Sequence, residues 1–139
     1  MNWRKLFQRT LAAILVAMFT IFSAAVAHAE IKTYEGVGEY WVADKTVKFA
    51  KNQAKLQAQR DALEQVSFFI KSGSHMGNGI LKDDEIITIT AGILHVINTE
   101  YDLVNDNGDI LVKAYVTAEI DTVELEKLLE EAVKSKQNH

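Results

Sequence analysis

The chain has 139 residues, 24% of them charged, and a formal net charge of −4 at pH 7. It contains no cysteine and no proline, which excludes a disulfide framework and attachment through a lipidated cysteine. The acidic balance argues against nucleic acid and against anionic membrane surfaces as partners.

The first 29 residues read as a targeting segment. Arg4, Lys5 and Arg9 form a basic start, Leu11 to Phe22 an apolar run, and Ala27-His28-Ala29 a small-x-small cleavage site. The apolar stretch from Leu11 to Ala27 falls short of the ~20 residues that a membrane-spanning helix needs. Cleavage after Ala29 is the favoured expectation, with an uncleaved N-terminal anchor as the alternative. Cleavage leaves 110 residues, enough for one domain over 30–139. Without Arg4, Lys5 and Arg9 there are twelve basic against nineteen acidic residues, a net charge of −7. The expected location is therefore the periplasm or the cell surface. No internal repeat or low-complexity tract interrupts the chain.

Ile31 to Val42 reads as a strand. Thr33, Glu35 and Glu39 alternate with the less polar set Tyr34, Gly36, Gly38 and Tyr40, which is placed inward. Gly36 and Gly38 would leave room for a helix to lie close to the strand backbone. A phosphate-binding glycine loop is the weaker alternative: the third glycine is missing, and the segment does not open the following helix.

Lys45 to Ile70 reads as one long helix with Asp44 as its N-cap. No glycine or proline occurs between Asp44 and Gly73. At 1.5 Å per residue the helix is roughly 39 Å long. Val47, Ala50, Ala54, Ala58, Ala62, Val66 and Phe69 recur at spacings of three and four and share one face. Phe49, Leu56, Leu63 and Ile70 widen it, while Lys45, Lys48, Lys51, Lys55, Arg60 and Glu64 form a solvated flank. A coiled coil would place Leu or Ile along such a seam. Alanine there predicts close docking onto a sheet in the same chain.

The Gly/Ser/Asn-rich stretch from Lys71 to Gly79 is a loop, and His75 and Met76 in it are candidate contact residues. The other histidines beyond the targeting segment, His95 and His139, lie in different elements without ligand spacing, so no metal site is expected. Asp83, Asp84 and Glu85 start a short helix to about Ala91, and their spacing is not that of a calcium loop.

Ile93–Val104 and Asp109–Ile120 form a hairpin around Asn107-Gly108, with Asn105 and Asp106 available to lengthen the loop. In the second arm Ile110, Val112, Ala114, Val116, Ala118 and Ile120 alternate with Leu111, Lys113, Tyr115, Thr117 and Glu119. In the first arm Ile97, Thr99, Tyr101 and Leu103 are placed inward, with His95 in phase as a structural histidine. A last helix runs from Thr122 to about Lys134, with Asp121 as cap and Glu124 placed to reach back; the residues after Ser135 are expected to fray.

The order predicts an α+β fold: a three-stranded antiparallel sheet, order 1-3-2, with the long Ala-rich helix and the C-terminal helix on one face. The other face carries Lys113, Glu119, Glu100 and Tyr115. It is either wet or the place where a partner binds.

The run Ala50-x3-Ala54-x3-Ala58-x-Arg60-x-Ala62-Leu63-x-Gln65-Val66 resembles the Ala-repeat helix of the flagellar assembly protein T N-terminal domain. The small outer-membrane lipoproteins grouped with that domain share the pattern. The Gly36-x-Gly38 strand, the Ala91-Gly92-x4-Ile97 segment and the Asn-Gly hairpin are similar too, so the resemblance spans Ile31 to Leu129. It implies an exported cell-envelope domain that works by protein–protein contact without a cofactor. The lipid-attachment cysteine of the lipoproteins has no counterpart here.

Three functional readings follow. The first is a non-catalytic envelope scaffold or interaction module, with Trp41, Tyr115, His75 and Met76 as candidate contact residues and an envelope protein as partner. The second is a binder of a small ligand or cell-wall glycan, with Trp41, Tyr34, Tyr40 and Tyr115 lining a groove on the sheet. The third, an enzyme, finds little support. Ser74-His75 is an adjacent pair in a loop without an orienting acid, and Glu124 and Glu126 point apart on a helix.

Overall fold

The computed structural model describes residues 3–4, 28–73 and 79–139. Most of the targeting segment, and with it the expected apolar run, lies outside the described residues, as do His75 and Met76. The elements are β1 (Ile31–Trp41), α1 (Val47–Ser72), α2 (Asp83–Ile93), β2 (His95–Asp106), β3 (Asp109–Asp121) and α3 (Thr122–Gln137). The sheet is antiparallel throughout with order β1-β3-β2, as the sequence predicts. No helix among the described residues is long and apolar enough to cross a membrane.

The alanine seam of α1 lies on β1 and β3. Ala50, Ala54, Ala58 and Ala62 are fully buried and Val66 is almost so. Ala50, Ala54 and Ala58 share a core with the inward residues of β3, Val112, Ala114, Val116 and Ala118. Gly36 and Gly38 face the seam directly. A Cβ on Gly36 would fall 1.9 Å from the Ala58 carbonyl oxygen, and one on Gly38 would fall 2.1 Å from that of Ala54. Helix backbone therefore rests on strand backbone, which only glycine opposite alanine permits.

α1 also closes the outer edge of β1. The Gln65 side-chain amide donates to the Glu35 carbonyl at 2.7 Å. The Val37 amide donates to the Asp61 carboxylate at 2.9 Å, and that of Glu39 to the Gln57 side-chain oxygen at 3.4 Å. Residues 57, 61 and 65 are spaced by four, so one helical row supplies all three. An edge strand's unpaired N–H and C=O groups are an aggregation hazard, and here side chains satisfy three of them at the centre of β1.

The helix starts later than expected. Ala43 takes a left-handed conformation (φ 45°), and Lys45 donates its amide to the Val42 carbonyl at 2.8 Å. That turn leaves Asp44 outside the helix. Thr46 is the N-cap in its place, its hydroxyl accepting from the Phe49 amide at 3.1 Å. The margins of the seam are only part-covered: Val47, Phe49, Leu56 and Phe69 remain exposed.

The hairpin turn is the two-residue type. Asn107 and Gly108 both have positive φ (53° and 93°), and Asp106 pairs with Asp109. Asn105 and Asp106 belong to the strand and do not lengthen the loop.

β2 keeps its expected phase over Thr99, Tyr101 and Leu103, which pair with the inward residues Val116, Ala114 and Val112, and departs from it before them. Val96 pairs with Ala118 and Asn98 with Thr117, leaving Ile97 unpaired in a bulge. The extra residue shifts the alternation, so Val96 rather than Ile97 faces the helices and Ile97 is 55% exposed. His95 moves with it to the opposite side, exposed and paired with Glu119. It is a surface residue, not a structural one.

A second core cluster joins Val66, Ile86, Ile120, Leu125 and Leu129 at the far end of α1. α2 enters it through Ile86; the Glu85 carboxylate accepts from the Lys82 amide at 2.8 Å and fixes the start of that helix. α2 ends at Ile93, two residues beyond the expected stop. α3 is capped by Asp121, whose carboxylate accepts from the amides of Val123 and Glu124. It runs to Gln137 rather than fraying after Ser135, because Lys136 is held by the Glu85 carboxylate and the Ile80 carbonyl.

The close contact predicts an asymmetric glycine response. Gly36→Ala and Gly38→Ala should each cost about 3 kcal/mol through overpacking against backbone that cannot yield. On a domain of this size that lowers Tm by about 15 °C. Gly92, in the last turn of α2 with nothing near its Cβ position, should tolerate alanine and gain about 0.5 kcal/mol. Calorimetry of the three variants checks this; equal effects at all three positions would refute the close contact.

Candidate functional site: the open face of the sheet

Among the described residues all three helices lie on one side of the sheet and none covers its other face. Pleating sends the odd residues of β1 and β3 to that face, and pairing aligns them with β2 in cross-strand rows. At the hairpin end the row is Trp41, Leu111 and Val104. Next comes Glu39, Lys113 and Asp102, and then Val37, Tyr115 and Glu100. Beyond these lie Glu35, Thr117 and Asn98, and then Thr33, Glu119 and His95.

Two of these rows are largely apolar. Trp41 is 47% exposed, Val37 46% and Tyr115 39%, with Val104 also exposed. A single exposed apolar side chain needs no explanation, whereas whole cross-strand rows of them on one sheet face mark a contact surface. Cross-strand aromatic and β-branched pairs also favour the sheet itself. Trp41 and Tyr115, singled out from the sequence, are thus brought to one face. Val37, Leu111 and Val104 were not singled out. Their signal was present in the sequence as apolar residues at the outward phase of strands whose inward phase was already filled.

A charged row divides the apolar ones. Lys113 Nζ lies 2.8 Å from Glu39 Oε1. The hydrogen bond and the charge of Glu39 hold the Lys113 ammonium above its ordinary pKa of 10.5, with smaller contributions from Tyr115 and Asp102. No cation lies within ion-pair distance of Asp102 or Glu100 among the described residues. Glu100 accepts instead from the Asn98 side-chain amide at 3.0 Å.

The four aromatics proposed for a single groove are divided by the sheet. Tyr34 and Tyr40 point to the helix side: Tyr40 packs edge-on against Phe49 with ring centroids 5.8 Å apart, and burial pushes the Tyr34 phenol above its ordinary pKa. Only Trp41 and Tyr115 share the open face. Four residues separate their rows, about 13 Å along the strands.

On the helix side a groove of about 320 Å³ lies between the start of β1, the end of α1 and α3. Tyr34, Val66, Leu125 and Leu129 form its floor, with Glu30, Glu126 and Glu130 on the rim. Lys32 spans the mouth, 3.9 Å from the Phe69 ring centroid and 3.7 Å from Glu30. Among the described residues no group of three or more His, Asp or Glu side chains is placed to hold a metal ion. Ser67 is buried on α1, and Ser72 donates to the Phe69 carbonyl at 2.9 Å.

The raised pKa of Lys113 has a stability signature. Its charged form is favoured in the fold, so the contribution is fully present below pH 10.5 and is lost as pH rises through the raised value. Lys113→Gln should therefore be less stable than the parent at neutral pH, with the gap closing in strong alkali. Denaturant titrations from pH 7 upward test this, and a gap independent of pH would contradict the assignment.

No protein-family model, curated protein or solved structure matches this chain, so the open face is interpreted from its own geometry.

Proposed function

We propose that this is an exported, non-catalytic protein of the cell envelope that works as a protein–protein interaction or scaffold module, and that the open face of its sheet is the contact surface. One observation carries the reading: an uncovered sheet face with Trp41, Leu111 and Val104 in one row and Val37 and Tyr115 in another. Interface cores are enriched in aromatic residues, and this face exposes Trp41 and Tyr115 on either side of the charged row of Glu39, Lys113 and Asp102. The basic-then-apolar start of the sequence supports export. The resemblance to the flagellar assembly protein T N-terminal domain supports a role by contact rather than by chemistry.

Trp41→Glu and Tyr115→Glu change exposed side chains and should leave the fold intact, as judged by circular dichroism. Chemical cross-linking in envelope extracts should recover a defined partner with the parent chain and lose it with either variant. Equal recovery with both variants would sink the assignment of this face.

A second reading, a small-ligand or cell-wall glycan binder, draws on Trp41 and Tyr115 sharing the face. Trp41 is the only tryptophan besides Trp3, so its fluorescence reports on the surface. Titration with cell-wall fragments should leave the emission unchanged if the protein-contact reading holds, and a saturable shift would favour the glycan reading.

A further inference from the structure

The two edges of the sheet are treated differently. The β1 edge is closed by Gln57, Asp61 and Gln65. The β2 edge has no such cover. Antiparallel pairing alternates which residues turn their backbone groups to the neighbouring strand. Val42 donates to the Ile110 carbonyl, so the even residues of β3 serve β1. Its odd residues, Leu111, Lys113 and Tyr115, then serve β2 through Val104, Asp102 and Glu100. Thr99, Tyr101, Leu103 and Asn105 therefore direct their N–H and C=O groups away from the sheet. Among the described residues no hydrogen bond reaches them on that side.

We propose that this edge, from Thr99 to Asn105, is a strand-addition site for an extended segment of a partner protein that alternates basic and apolar residues. The inference rests on the contact reading above and names its mode. Backbone pairing supplies the affinity, and alternate side chains supply the choice of partner. On the open face the added strand would meet Glu100 and Asp102, two carboxylates without an ion-pair partner among the described residues. On the helix face it would meet Leu103, 54% exposed, and the ring of Tyr101. Basic residues suit the first side and apolar ones the second.

The same acids disfavour a second copy of this chain. Antiparallel pairing of two β2 strands about Tyr101 sets one copy's Glu100 against the other copy's Asp102, and like charges directly opposite destabilise a sheet. The bulge at Ile97 further limits the flat stretch available for self-pairing.

The test uses the full chain, ¹⁵N-labelled, with a synthetic octapeptide alternating Lys and Val and a control alternating Glu and Val. The Lys-Val peptide should slow amide exchange at Thr99, Tyr101 and Leu103. The double variant Glu100→Lys with Asp102→Lys should weaken binding about tenfold. Leu103→Pro should remove it: that nitrogen faces outward, and an edge strand tolerates proline at such a position. Slowing with the control peptide to the same extent, or slowing at high protein concentration without any peptide, would overturn the partner assignment. Perturbation of the Trp41 indole with the β2 amides unaffected would overturn the edge site while leaving the open-face reading standing. No response at either place would overturn the edge site as well.

Discussion

The structure depends on backbone-to-backbone contact between the Gly36-x-Gly38 stretch and the helix segment Ala54 to Ala62. With no Cβ on the strand and only methyl groups on the helix, the two main chains approach until an added carbon would overlap a carbonyl oxygen. That closeness has a second effect. It brings Gln57, Asp61 and Gln65 within reach of the outward amides and carbonyl of β1. Packing and edge protection thus come from adjacent rows of one helix. A leucine seam would hold the helix farther off and leave the strand edge bare.

Asymmetry follows from this arrangement. Everything the helices offer is spent on one face and one edge. Among the described residues the opposite face keeps Trp41, Tyr115, Val37 and Val104 exposed, and the opposite edge keeps backbone groups without a hydrogen bond. The contact role proposed for the chain draws on those two uncovered regions, which adjoin along β2. Glu100 and Asp102 stand where face and edge meet. The groove beside α3 is a different kind of feature: its mouth is spanned by Lys32, held between the Phe69 ring and Glu30.

Much of the fold was legible in the sequence because its signals are local and periodic. The alanine spacing gave the buried seam of α1, the alternation of β3 gave its inward face, and Asn107-Gly108 gave the hairpin turn. The glycines of β1 marked the close approach in the sequence itself. What escaped was set by single irregularities. The bulge at Ile97 leaves no trace in composition, yet it reverses the facing of His95. The left-handed Ala43 moved the cap from Asp44 to Thr46, which no spacing rule registers. The contact of Lys136 with Glu85 spans 51 residues and kept α3 from fraying. On the open face Trp41 and Tyr115 were found from residue type alone, whereas grouping them with Tyr34 and Tyr40 ignored the period of two that puts those on the other side.

Amide exchange in the free protein tests the central claim most directly. If α1 seals the β1 edge, the amides of Val37 and Glu39 exchange slowly although they belong to an edge strand, while those of Tyr101 and Leu103 on the opposite edge exchange quickly. Asp61→Ala should release Val37 without releasing the interior of β3. Exchange at Val37 as fast as at Tyr101 in the parent chain would contradict the account, because it would mean that the helix does not close the strand it rests on.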